Sequence, residues 1–262
     1  MADGRILTLE GIHNFRDFGG YPVAGGRRLK TGRLWRSGQH HGATDADLAQ
    51  VATLGLTAVY DLRTDKERAL HPCRRPEGFA AAIHHAASPS LENAPHIAAA
   101  RAVPRQRDAA SAREGLRRNY GRIAFRPELT ALVGRMLADL ANGEQAILIN
   151  CMAGKDRTGI AVAAVHLAAG VHKDDIIADY LLTNTAGDVE ARIRAGAETI
   201  KATTGTIDED VLRVLMGVEA EYLEAAFAEM REKYGSERGW LEQELGAGAA
   251  LRERLRENLT EA

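Results

Sequence analysis

Two cysteines in 262 residues are too few to staple a secreted scaffold, where much shorter chains carry several bridged pairs. Cys73 and Cys151 therefore read as free thiols in a reducing compartment. The chain also lacks any run near the roughly 18 consecutive apolar residues of a membrane span, and Met1-Ala2-Asp3-Gly4-Arg5 does not open a signal peptide. These absences point to a soluble, cytoplasmic protein with no integral membrane segment. Neither charge is in excess: 34 Lys and Arg against 36 Asp and Glu leave a formal net charge of −2, so nothing calls for a nucleic-acid partner. Any recognition of an anion has to be local. The pairs His40-His41 and His84-His85 have no Cys or carboxylate at ligand spacing, and neither a catalytic metal nor a cofactor is expected.

What is present is enough apolar residue, 45%, to bury a core, and a length that suits one domain over residues 1–262. Residues 6–38 are rich in Gly and read as strands and turns. Thr44 caps a helix to about Leu54, after which residues 56–62 form a β-rich run that places Asp61 and Arg63 at a strand's carboxyl end. Residues 88–125, with three prolines and several arginines, suggest a helical insertion or lid. Those arginines suit a solvated face, with an anionic headgroup as the alternative. Leu129, Leu132, Val133, Met136, Leu137 and Leu140 mark a helix ended at Asn142-Gly143, and residues 146–149 a buried strand. Helices are expected over 174–182, 188–203, 208–215, 218–234 and 247–258. The fold class is α/β, a central sheet flanked by helices.

The segment after that strand carries the chemistry: Asn150-Cys151-Met152-Ala153-Gly154-Lys155-Asp156-Arg157-Thr158-Gly159, then a small-residue helix to Ala169. A Cys-x5-Arg loop between a strand and a helix N-terminus can curl its N–H groups, those of Met152, Ala153 and Gly154 among them, around phosphate oxygens, while the positive end of the helix dipole favours the dianion. Gly154 lets the backbone turn. Arg157 offers a planar fork to two equatorial oxygens, and most strongly in the trigonal transition state. The same dipoles and Arg157 favour Cys151 as the thiolate nucleophile, with the Thr158 hydroxyl placed to hydrogen-bond the sulfur. The plainer readings are a buried structural cysteine and, for Lys155 and Asp156, a solvated ion pair.

Cys-x-x-Gly-Lys-Asp-Arg-Thr-Gly over residues 151–159 resembles the signature of the atypical bacterial protein tyrosine phosphatases and lipid phosphatases, within the tyrosine phosphatase superfamily. Asn14-Phe15-Arg16-Asp17-Phe18-Gly19-Gly20-Tyr21, Arg36-Ser37-Gly38, Tyr60-Asp61-Leu62-Arg63 and Asp179-Tyr180-Leu181-Leu182-Thr183-Asn184 extend the resemblance along most of the chain. It implies a tyrosine-phosphatase-like fold, Asp156 as general acid and Lys155 as an added phosphate contact. Asp61 is the competing acid, or only a cap or a partner for Arg63, and Arg63 is a further candidate for binding substrate. Asn14, Arg16 and Asp17 are expected to tie the N-terminal segment under the site. The departure is Asn150, where the family has His.

The expected function is hydrolysis of phosphotyrosine through a cysteinyl-phosphate, with phosphoserine, phosphothreonine and phosphoinositides as further substrates. The partners are then a phosphorylated protein or a phosphoinositide. The rival is a pseudophosphatase that captures phosphorylated partners without turnover, motivated by Asn150. A sulfurtransferase or arsenate reductase fits less well, because neither needs the acid at Asp156.

Overall fold

The short β-rich runs of the first 150 residues assemble into one five-stranded sheet. In this computed structural model, which describes residues 4–87, 108–143, 146–204 and 208–262, its strands are β1 (Arg16–Asp17), β3 (Leu34–Ser37), β4 (Ala58–Asp61), β5 (Ala82–His84) and β6 (Ile147–Asn150), in the order β1-β3-β6-β4-β5. All neighbours are parallel except β1, which closes one edge antiparallel to β3. A separate ribbon pairs β2 (Arg28–Leu29) with β7 (Thr260–Glu261) and ties the chain's end to its beginning.

Alternation along the strands divides the core. Trp35, Val59 and Leu148 face one side, with Phe15, Leu48 and Val51 around them, the last two from α1 (Asp45–Ala52). Leu34, Ala58, Tyr60, Ile147 and Ile149 face the larger, helical layer. At its centre is α5 (Asp156–Ala169), buried almost all round, which its Ala-rich surface allows because small side chains let neighbouring backbones approach. Against α5 pack α4 (Pro127–Asn142), α6 (Lys173–Leu181), α10 (Glu237–Gln243) and α11 (Ala249–Leu259). The helical readings after residue 127 correspond to α4 to α9 and α11, each within two residues at either end except at the start of α5, which begins at Asp156 where the small-residue stretch was read from Ile160; α7 is Val189–Thr204, α8 Glu209–Met216 and α9 Ala220–Tyr234. Among the described residues, no helix is long and apolar enough to cross a membrane.

Three elements differ from the sequence reading. The segment after β4 is a helix, α2 (Asp65–Leu70), closed by a capping box between Thr64 and Glu67. Short α10, started by Ser236, had no apolar stripe long enough to announce it. The third concerns the expected insertion, of which residues 88–107 lie outside the described residues. Its remainder forms α3 (Ala109–Ile123), capped by Asp108, and its buried Ala112, Leu116, Tyr120 and Ile123 lie at helical spacing and pack on α8 and α9. That part is core and not a cover over it, because the stripe, masked in sequence by the arginines on the opposite face, has nowhere else to be buried.

Candidate active site

Parallel pairing brings Ser37, Asn150 and Asp61 into register at the carboxyl ends of β3, β6 and β4, so the loops that follow converge there. The central loop runs from Cys151 to the start of α5. Gly154 has φ 64, and a Cβ there would meet the Ser37 carbonyl at 2.5 Å, so only glycine lets the loop pass this close to β3. The loop's carbonyls are drawn outward: Gly154 O accepts from Asn14 Nδ2 at 2.7 Å and Arg36 Nη2 at 2.9 Å, and Met152 O from the Gln39 amide at 3.0 Å. Because C=O and N–H of a trans peptide point oppositely, the Ala153 and Lys155 amides then face into the loop, beside the buried Cys151. Turning carbonyls away leaves N–H groups on the inner side of the loop, an arrangement that can hold an anion.

The residues that hold this loop are themselves fixed. Arg16 Nη1 donates to Asn14 Oδ1, and Asp179 on α6 bridges Arg36 (2.7 Å) and Arg16 (3.4 Å), all fully buried. Burial pushes the Asp179 carboxyl up, but Arg16 and Arg36 overcome it and hold it down at about 2. Asn14 and Arg16 thus tie the N-terminal segment under the site. Asp17 instead accepts from the Gly19 amide in a local turn and from the Gly32 amide 15 residues on.

Arg157 is gripped at one end only. Its Nη1 donates to Leu62 O (3.0 Å) and Glu67 Oε2 (2.7 Å), and its Nη2 to Glu67 Oε1 (2.8 Å). Burial alone would lower its pKa, yet Glu67 and the nearby Cys151 raise it, so the guanidinium is a permanent charge. Of five N–H donors this leaves Nε–H, which is buried without a partner, and the second hydrogen of Nη2. Those two lie side by side on one edge, a fork of the spacing two phosphoryl oxygens present. Glu67 was not singled out in the sequence, although Thr64-x-x-Glu67 is a capping-box signature. The box explains why the carboxylate is held there: Thr64 N donates to the same Oε2 that takes Arg157.

Asp156 opens α5. Tyr180 donates to Tyr120 (2.7 Å), and Tyr120 to Asp156 Oδ1 (2.6 Å); Lys155 Nζ lies 3.5 Å from the same oxygen. No hydrogen bond reaches Oδ2 among the described residues. Burial first, then Asp156, raises the Tyr120 hydroxyl well above its ordinary range and keeps it a donor. Neither tyrosine was signalled in the sequence as part of the site. Lys155, expected as a phosphate contact, turns its buried Nζ to Leu215 O (2.5 Å) and Gly217 O (3.2 Å) at the end of α8, where helix carbonyls attract a cation. Burial lowers its pKa.

Asp61 and Arg63 are committed to each other, with Nε to Oδ1 at 2.9 Å and Nη2 to Oδ2 at 2.7 Å, while Arg63 Nη1 takes His71 O. Nε, Nη1 and Nη2 of Arg63 each donate to a protein acceptor. Asn150 Nδ2 reaches Asp61 Oδ1 at 3.3 Å, and its Oδ1 is buried without a partner. Thr158 Oγ1 also has none, the Cys151 sulfur included. Among the described residues no three of His, Cys, Asp or Glu gather to hold a metal ion.

Residues 7–261 match the tyrosine phosphatase family. The chain is 35% identical over 246 residues to a Cupriavidus necator protein that carries the name of tyrosine-protein phosphatase, covering 93% of this chain and 85% of that one. It is 32% identical over 282 residues to the triple specificity protein phosphatase PtpB of Mycobacterium tuberculosis, covering 96% and 98% respectively.

Proposed function

The chain belongs to the tyrosine phosphatase family, and we propose on that premise that it hydrolyses phosphoric monoesters through a cysteinyl-phosphate on Cys151. Phosphotyrosine is the leading substrate. Phosphoserine, phosphothreonine and phosphoinositides are further candidates, supported by the triple specificity named for PtpB. The observation that carries the reading is the inward-facing amides beside Cys151 together with the free Nε and Nη2 edge of Arg157.

In the first step Cys151 Sγ bonds to phosphorus and the ester P–O bond breaks, the leaving oxygen taking the proton of Asp156. The open Oδ2 is the oxygen that supplies it, since Oδ1 is occupied by Tyr120. In the second step a water gives its proton back to Asp156, bonds to phosphorus and breaks the S–P bond, releasing phosphate and the thiolate. The developing charge is met by donors already in place, so little reorganisation is needed at the moment of reaction. The protein acts as a single domain in a reducing cytoplasm, in keeping with two free cysteines.

Acid quench during turnover of an aryl phosphate, followed by mass spectrometry, should find phosphate on Cys151. Cys151→Ser should abolish both the adduct and turnover while vanadate still binds. Turnover surviving in that variant would remove the covalent mechanism; a wild-type chain that binds phosphopeptide without turning it over would be a capture module instead.

A further inference from the structure

His40 is fully buried just past the end of β3, and no step of the proposed reaction uses it. Arg75 Nη1 lies 3.2 Å from its Nδ1, and Ser37 Oγ 3.0 Å from its Nε2. A guanidinium can only donate, so Nδ1 is an acceptor and the imidazole proton sits on Nε2, aimed at Ser37. Burial first, then Arg75 and Arg63, hold the His40 pKa well below its ordinary value, which keeps this neutral form. The ring is locked in one tautomer with both nitrogens engaged.

The consequence runs through two peptides. Ser37 Oγ, which accepts from His40, donates to Gly38 O at 2.8 Å. That carbonyl belongs to the same peptide as the Gln39 N–H, and in a trans peptide the two point oppositely. The Gln39 N–H accordingly donates to Met152 O at 3.0 Å. Met152 O in turn shares its peptide with the Ala153 N–H, one of the amides that face into the Cys151 loop. A Cβ on Gly38 would meet Met152 O at 3.1 Å, so the two segments are in close contact. Successive hydrogen bonds thus connect Arg75 and His40 to the aim of a donor placed for an anion.

The backbone of His40 shows what the ring is not needed for. Its N–H donates to Cys73 Sγ at 3.2 Å, and its carbonyl accepts from the Ala43 and Arg74 amides, each at 3.2 Å. Those bonds fasten the loop after β3 whatever the side chain is. We infer that His40 is a positioning residue of the Cys151 loop: its ring orients the Gly38–Gln39 peptide through Ser37, and that peptide aims the Ala153 N–H at an equatorial phosphoryl oxygen. The inference rests on the proposed phosphatase reading, and His40 acts through Ser37 rather than on the substrate itself.

The test sets the full chain beside His40→Phe, His40→Gln, Ser37→Ala and the double variant of His40→Phe with Ser37→Ala. Each is assayed on phenyl phosphate and a nitrophenyl ester, with vanadate and inorganic phosphate binding and a thermal melt. Phe keeps a buried ring beside Phe15 but makes neither hydrogen bond. In His40→Phe kcat should fall by the same factor on both esters, because the amide meets an equatorial oxygen and not the leaving one. That factor should be about tenfold to a hundredfold, against about a hundredfold to a thousandfold for an oxyanion donor removed outright. KM and phosphate binding should move less, while vanadate, which copies the flattened phosphoryl group, should weaken by about the factor lost from kcat/KM. His40→Gln places an amide N–H where the Nε2–H was and should recover most of the loss. Ser37→Ala cuts the same relay, so its loss should not add to that of His40→Phe.

A lower Tm with kcat and vanadate binding unchanged would overturn the inference by making the ring structural. So would a loss confined to phenyl phosphate, which belongs to the leaving group, a change in KM alone, or additive losses in the double variant. If His40→Phe does not fold, Ser37→Ala decides together with the Ala153 amide proton, whose downfield shift on vanadate binding should shrink in that variant; an unchanged shift would overturn the relay. If the wild type turns over no ester, the phosphatase reading fails, while vanadate binding by the variants still tests the relay. A wild type that binds neither anion overturns both.

Discussion

Asp61 and Asp156 stand at two ends of the same construction, one closing a strand of the central sheet and the other opening the helix behind the Cys151 loop. Both are shielded and both lie among guanidinium groups, yet their neighbours leave them with different chemistry. Asp61 gives both oxygens to one guanidinium, 2.9 and 2.7 Å from Arg63, and has Arg68 at 3.7 Å besides. Asp156 gives one oxygen to a tyrosine hydroxyl and keeps the other open. A carboxylate bound bidentately to a permanent cation is an acceptor and a strut. One held through a single oxygen can carry a proton on the other. The lesson is that a candidate acid is marked by the oxygen its environment leaves unused.

The sharpest way to break the comparison is to neutralise each carboxylate in turn. Asp156→Asn should slow phenyl phosphate by about a hundredfold to ten-thousandfold, the range of general acid catalysis, and affect a nitrophenyl ester far less because that leaving group departs without a proton. Asp61→Asn should leave the two substrates equally affected and lower stability by about 3–5 kcal/mol, since it strands the buried Arg63. Paired rate measurements on the two esters with a thermal melt decide it. A leaving-group-dependent defect at Asp61 would transfer the acid to the strand end.

Glu67 offers a second cut, this time at the grip on Arg157. Glu67→Gln keeps the size but loses the charge and one of the two acceptor oxygens, so the guanidinium should lose its fixed orientation toward the loop. A fall in kcat of about tenfold to a hundredfold is expected, with KM moving less, because contact with the equatorial oxygens strengthens as the phosphoryl group flattens. A change in KM alone would mean that Arg157 binds the ground state only.

Much of this arrangement was visible in the sequence, and the reason is local. Loop, strand and helix are contiguous from residue 146 to 169, so β6, the turn at Gly154 and α5 could be read from apolar runs and one motif. Asp156 was nameable because it sits inside that motif. What stayed hidden depends on residues brought together by packing: Tyr120 lies 36 residues from Asp156 and Glu67 lies 90 from Arg157. Capping chemistry announced Glu67 as a helix start, with no sign that its oxygens would also face Arg157. Lys155 shows the converse limit. Its place in the motif suggested phosphate, whereas the end of α8, 60 residues on, holds its ammonium.

The smallest expected effect concerns Tyr120, the group that makes Asp156 unlike Asp61. Its hydroxyl receives from Tyr180 and donates to Oδ1, the oxygen that Lys155 Nζ also approaches at 3.5 Å, so the carboxyl is oriented without a cation bound across both of its oxygens. Tyr120→Phe removes one hydrogen bond to the carboxyl, about 1 kcal/mol, and should lower kcat on phenyl phosphate by about threefold to tenfold. The nitrophenyl ester should change less, for the reason given for Asp156→Asn. Tyr180→Phe leaves the bond to Asp156 in place and should do less than Tyr120→Phe; combined, the two should cost no more than Tyr120→Phe alone, because the outer hydroxyl acts on Asp156 only through the inner one. Additive losses, or equal losses on both esters, would show that the tyrosines merely fill the core between α3 and α6, and that Asp156 is oriented by Lys155 instead.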